Sequence, residues 1–426
     1  MPNPVFYTPP LWRPEAGNPA PVRRRHVVYV PGYDYEAKTR SRSLFVRELV
    51  RYGRRFGFTE RTVTPVQDMP DVPGLRWTVR TAKDDWAVDT VYDVMRWDDI
   101  VERDFQRPLL VRLFWLLVGQ IDCLFTGLTY RLFKTNWLFA CVGLYPFVMV
   151  VLLGLAAWGV GWGADRLLGL AGAPGWAALL GGLAIAGGMV ALVYPYFDRW
   201  YVWHLLYDWL FNWQHGNGRR IDYLGRVDRF ADHLRAVVSA GEADEVLVVG
   251  HSSGAGMALE TVSRALEGDP GLGSRGPEVA VLTIGTSLPA AALNSRARAI
   301  HRSLERVMTE RDIEWVEYQS PQDWLNAAGF NPLRMLPLTV PESACANPLV
   351  RTPRFREITT AATYRTILKS PFRLHFQFMM ANDFPGEYDW VMMLLGPMRL
   401  SWRVRHPEEA KALSGAPLGK AEPVPA

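Results

Sequence analysis

Gly250-His251-Ser252-Ser253-Gly254 is the stretch of this 426-residue chain best suited to covalent chemistry. A serine hydroxyl is a weak nucleophile at neutral pH and needs a neighbouring base and a backbone that lifts it clear of its surroundings. The pattern G-x-S-x-G does this when a buried strand runs into it, a helix leaves it, and small residues let the two approach closely. Here Glu245-Val246-Leu247-Val248-Val249 reads as a strand of a buried parallel sheet, and residues 255–266 read as a helix. Gly250, Gly254, Ala255 and Gly256 surround the turn. The competing reading, a glycine-rich loop that cradles a phosphate, lacks the Lys or second glycine pair of a P-loop or dinucleotide site.

The elements that would hold such a site follow from the pattern. His26–Val30 is a short apolar strand that stops at Pro31-Gly32-Tyr33-Asp34, and residues 38–56 carry a helical apolar face. Strand candidates lie near 75–81 and 90–97, and again at 279–285 and 313–318; helices are predicted at 223–238 and 291–310. Strand, helix, strand in alternation predicts an α/β fold, a mostly parallel sheet with crossover helices.

This arrangement resembles the α/β-hydrolase superfamily over roughly residues 26–97 and 217–403. In that superfamily the triad runs Ser, then Asp or Glu, then His along the chain. The resemblance implies Ser252 as nucleophile, His375 as base, and Asp323, on the loop after the strand at 313–318, as the acid, with Glu317 as runner-up. His301 falls in a helix ahead of any acid-bearing loop, and His406 beside the tail; Asp383 and Asp389 follow His375 and violate the chain order. It further implies an oxyanion hole from the backbone N–H groups of Ser253 and Tyr33. His375 also reads as a structural histidine among aromatics, and Asp323 as a helix-capping acid after Pro321.

Between residues 105 and 216 the character changes. Residues 109–133 are apolar and helical, with Arg112, Asp122 and Arg131 as charges. Residues 137–164, roughly 28, and 176–197, roughly 22, carry no charge, against roughly 20 needed to span a bilayer. Asp165-Arg166 interrupts the first run, and Gly172-Ala173-Pro174-Gly175 turns the chain. Trp176, Tyr194, Tyr196, Trp200 and Tyr201 flank the second run, as at membrane interfaces. Gly181-Gly182 and Gly187-Gly188 suit close helix contact in lipid. The expectation is a hydrolase domain (23–104 and 217–406) interrupted by a helical insertion with two transmembrane helices. A Pro-rich arm (1–22) precedes it and a disordered tail (407–426) follows it.

Arg131 and Lys134 before the first span, and Arg199, Arg219 and Arg220 after the second, place both flanks in the cytoplasm of an inner-membrane protein. The absence of a signal-peptide pattern and three Cys (Cys123, Cys141, Cys345) in no framework agree with a reducing compartment. A net charge of +4, with Arg23-Arg24-Arg25 as its densest run, does not indicate nucleic acid. No ligand-spaced cluster suggests a metal, and the chemistry needs no cofactor. The expected partners are a lipid bilayer, which the 109–133 stretch would also meet, and a small-molecule or lipid ester. An acyltransferase would use the same triad, and a non-enzymatic membrane scaffold on a degenerate hydrolase fold is the reading from another class.

Overall fold

The computed structural model describes residues 6–12 and 19–418. The chain divides into two compact units, one built from the residues up to Gln106 together with those from Gln214 onward, the other from Arg107–Trp213.

The first unit is α/β. It begins with β1 (Arg24–Val30), α1 (Ala37–Phe56), β2 (Glu60–Val63), β3 (Gln67–Asp68), β4 (Gly74–Lys83), β5 (Trp86–Met95) and α2 (Asp98–Phe105). The second unit supplies α3 (Leu109–Phe125), α4 (Leu128–Thr135), α5 (Trp137–Leu170), α6 (Gly175–Arg199) and most of α7 (Val202–Gly216). The first unit resumes with α8 (Ile221–Ala240), β6 (Glu245–His251), α9 (Ser253–Gly268), β7 (Glu278–Ile284), β8 (Ile313–Tyr318) and β9 (Leu349–Arg351), followed by short helices.

The sheet order is β2-β4-β5-β1-β6-β7-β8-β9, with β3 beside β4. From β5 to β9 every neighbouring pair is parallel; β4 runs antiparallel to β5, and β2 and β3 antiparallel to β4. The chain builds outward from β1 to the β5 side first and to the β6 side later. The carboxyl ends of β1 and β6 therefore flank a topological switch point, the place where such sheets open a crevice. β6 is buried along its whole length, as its unbroken apolar run requires in a sheet covered on both faces.

Several boundaries differ from the sequence expectation. The strands near 75–81 and 90–97 are longer and form one antiparallel hairpin that turns at Asp84. β2, β3 and β9 were not predicted: they are two to four residues long. The helix expected over 291–310 is two, Pro289–Ala292 and Arg298–Thr309. Between them the Asn294 side chain accepts the Arg296 N–H at 2.9 Å, a local bond that competes with helix. The tail expected to be disordered from Pro407 forms a helix over Pro407–Ser414. It docks: Ser414 donates to Asp389 at 3.1 Å and accepts from Lys83 at 2.8 Å. Of the N-terminal arm, Tyr7 pairs with Val350. Residues 1–5, 13–18 and 419–426 of the arm and tail lie outside the described residues.

The second unit is helical. The stretch at 109–133 is broken into α3 and α4 at Gly127, which has φ 71°. Asn136 caps α5 by accepting the Phe139 N–H at 3.0 Å. Asp165-Arg166 does not interrupt the first run: α5 continues to Leu170, with the Arg166 guanidinium over the Trp162 ring one turn back. The turn is thus confined to 171–174. α5 and α6 are both long and apolar enough to cross a membrane. Their backbones come together where a Cβ on Gly182 would lie 2.5 Å from the Gly161 carbonyl oxygen, and a Cβ on Gly181 would lie 2.4 Å from Leu168 Cδ1. Gly187 and Gly188, expected to serve the same purpose, face open space. Trp176, Tyr196, Trp200 and Tyr201 are exposed near the ends of α6.

Candidate active site

β6 passes into α9 through a single residue. Ser252 has φ 56° and ψ −125°, a left-handed conformation that a non-glycine residue adopts only under constraint. The constraint is close approach. A Cβ on Gly250 would sit 2.5 Å from the Ala255 Cα, and one on Gly254 would sit 2.3 Å from the Pro31 carbonyl oxygen. Gly256, by contrast, would make only ordinary contact, so it is not required by the turn. The Ser252 N–H donates to the Ile284 carbonyl at 3.0 Å and its carbonyl accepts from Ala255 at 3.1 Å. The residue is half-buried.

His375 lies in the short helix Pro371–Phe376 and is 4% exposed. Its Nδ1 meets Asp323 Oδ2 at 2.7 Å. Asp323 is itself 1% exposed, and its other oxygen accepts the Leu325 N–H at 3.0 Å. The turn-stabilising role and the imidazole-orienting role are thus filled by different oxygens of one carboxylate. His375 Nε2 is buried and makes no hydrogen bond, so Ser252 is not bonded to it. Both residues nevertheless meet the end of β7. Ser252 bonds Ile284, and a Cβ on the next residue, Gly285, would lie 3.1 Å from His375 Cε1.

The loop after β1 comes to the same point. A Cβ on Gly32 would be 3.0 Å from Ser252 Cβ and 3.6 Å from its Oγ, so the backbone there reaches Ser252 directly. Trp97 Nε1 donates to the Pro31 carbonyl at 2.9 Å and the Tyr33 hydroxyl donates to Asp104 at 3.0 Å, fixing the loop from two sides. Ser253 opens α9, and its hydroxyl meets that of Ser287 at 2.9 Å.

The remaining candidates are placed elsewhere. Glu317 bonds Gln319 at 2.6 Å and Thr283 at 3.2 Å rather than His375; burial pushes its carboxyl up to about 7 against those two bonds. His301 bonds the Ala292 carbonyl, His406 stacks on Trp402, Asp383 pairs with Arg51, and Asp389 caps the helix Trp390–Leu395. His251 is a participant that sequence reasoning passed over. Its ring lies 4.7 Å from that of His375, and burial, then the charge of His375, holds it well below the ordinary histidine range. It therefore stays neutral. Gly285 was also passed over as a contact of the site; a glycine just after a buried strand was the available signal.

Away from this edge, one group of potential metal ligands stands among the described residues: His26, Asp93 and His233. The two histidines come from β1 and α8 and set Nε2 at 2.7 and 2.9 Å from one Asp93 oxygen. Arg76 also grips that carboxylate, through both oxygens at 2.6 and 2.7 Å. Burial raises the Asp93 pKa, but Arg76 and the two histidines overcome it and hold the carboxyl far below its usual range. A guanidinium seated on both oxygens repels a dication, so the group acts as a polar staple between sheet and helix.

No family model matches this chain, and it has no match among curated proteins or solved structures.

Proposed function

We propose that the chain is a membrane-anchored serine hydrolase of α/β-hydrolase type, acting on an ester, thioester or lipid-like acyl group. The observation that carries this reading is the strained Ser252 at the switch-point edge, with a buried His375–Asp323 pair at the same edge. The strand order supports the superfamily reading, since the nucleophile strand lies between the strand carrying the Gly32 loop and the strand carrying Gly285.

In this mechanism Ser252 Oγ attacks the acyl carbonyl and His375 Nε2 takes its proton. Asp323 keeps Nδ1 protonated and stabilises the imidazolium. The N–H groups of Tyr33 and Ser253 receive the developing oxyanion, each worth about 10²–10³ in rate. His375 then returns the proton to the leaving alkoxide or thiolate, and water releases the acyl group by the same route. Ser252→Ala should abolish hydrolysis of short p-nitrophenyl esters while leaving the thermal melt unchanged. Wild-type turnover by that variant would remove the mechanism.

The anchor is the α5–α6 hairpin, entering and leaving on the cytoplasmic face of the inner membrane. Arg131, Lys134, Arg199, Arg219 and Arg220 supply the positive flanks. A cysteine at Ala171 should react with impermeant maleimide in intact cells and one at Glu242 should not. Equal labelling would sink this topology.

A further inference from the structure

α3 is polarised the wrong way round for water. Its inward face carries its polar groups: Gln120 is buried, Asp122 accepts the Trp213 indole N–H at 2.9 Å, and the Arg112 guanidinium lies 5.7 and 5.2 Å from the Trp203 and Tyr207 rings. Close packing holds that face to α7, since a Cβ on Gly119 would fall 2.7 Å from Trp209. The outward face is an unbroken apolar stripe. Leu110, Phe114, Leu117, Ile121, Leu124 and Phe125 are 80, 58, 52, 44, 65 and 88% exposed. Their spacing alternates between four and three residues before the final neighbour, which is one side of an α-helix. A helix that hides its charges in protein and presents only apolar side chains is matched to an apolar solvent, not to water.

We propose that α3 is a third membrane-embedded segment, lying along the leaflet with the Leu110–Phe125 stripe in the acyl chains. The proposal rests on the membrane reading of the α5–α6 hairpin, because α3 belongs to the same compact unit as those two helices. The next helix, α4, offers what the headgroup layer takes: Arg131, Lys134 and an exposed Tyr130. At 17 residues α3 is about 25 Å long, enough to lie in the interface over several lipids.

The test uses the full chain in vesicles of phosphatidylcholine and phosphatidylglycerol, with Cys123, Cys141 and Cys345 replaced by Ala. Single cysteines at Phe114, Leu117 or Ile121 carry an environment-sensitive fluorophore; Leu152 of α5 serves as the hairpin control and Lys38 of α1 as the aqueous one. The three α3 positions are exposed, so they give independent readings if one label disturbs the fold. The expected result is quenching of the α3 probes by nitroxide-bearing acyl chains to the degree seen at Leu152, with protection from aqueous iodide. Iodide quenching at α3 while Leu152 is quenched by lipid overturns this inference and leaves the hairpin standing. Protection from both quenchers, with disulfide crosslinking of Leu117→Cys between copies, assigns the stripe to a second chain and also overturns it. If Leu152 itself escapes lipid quenching, the membrane reading of the hairpin fails and the proposal falls with it.

Discussion

β6 and α5 are both apolar runs, yet they meet opposite surroundings. Val246, Leu247, Val248 and Val249 in β6 have no exposed surface, because strands flank them and helices cover them. In α5, Leu152, Leu155 and Trp158 stand 54, 58 and 69% exposed. Glycine follows the same division. At Gly250 and Gly254 the absent side chain lets a helix start against a strand and forces Ser252 into a strained conformation. At Gly161 and Gly182 it lets two helices touch. One unit buries its apolar residues in a core beneath the strained Ser252; the other leaves them exposed. The same residue types thus build a sealed core or an exposed apolar surface according to what packs on them.

If that division holds, changes at the sheet edge should destroy turnover without altering membrane association. The largest effect is expected at the acid–base pair. His375→Ala should reduce kcat about as severely as losing the nucleophile, since triad members act as a unit. Asp323→Asn should cost about 10⁴ in kcat through the wrong imidazole tautomer. Both variants should still fractionate with membranes. A kcat for Asp323→Asn within tenfold (about 1.4 kcal/mol) of wild type would detach that carboxylate from the chemistry.

A paired glycine substitution sharpens the contrast. Gly254→Ala drives a methyl into the Pro31 backbone, and overpacking of this kind costs about 1–3 kcal/mol or more. The melt should fall and esterase activity should collapse. Gly187→Ala meets open space within α6 and should change neither. Equal behaviour of the two would mean that close packing at the elbow is not what the glycine provides.

A smaller effect is expected from Glu317, buried among the strand ends. The unfolded chain ionises this carboxyl near its ordinary 4.5, whereas burial lets the folded protein keep the proton up to about 7. Between those values the folded state holds the extra proton, so raising the pH lowers stability, by on the order of 3 kcal/mol in all. Glu317→Gln should flatten that slope and melt higher than wild type at pH 8. Urea unfolding at pH 5 and pH 8 measures it, and an unchanged slope would refute the assignment.

What the sequence disclosed follows physical lines. β6, Ser252 and α9 were legible because a β-branched run followed by small residues leaves few alternatives. Asp323 and His375 were picked by the chain order of the resemblance, and a hydrogen bond joins them, while their role in chemistry rests on the proposed mechanism. The hairpin was legible from length alone, but the continuation of α5 through Asp165-Arg166 was not: charge at the end of an apolar run changes its solvent, not its helicity. β2 and β3 were hidden because they pair through backbone with exposed side chains, which leaves no apolar alternation to read. The staple at Asp93 was hidden for another reason. Its partners come from β1, β4 and α8, and no spacing along the chain reports a meeting in space.

The most direct measurement is covalent labelling of the folded, membrane-bound protein with a fluorophosphonate, followed by peptide mapping. The proposed mechanism requires one adduct, on the peptide carrying Ser252, absent in Ser252→Ala and strongly reduced in His375→Ala. An unlabelled Ser252 in protein that hydrolyses esters, or an adduct that survives Ser252→Ala, would contradict it.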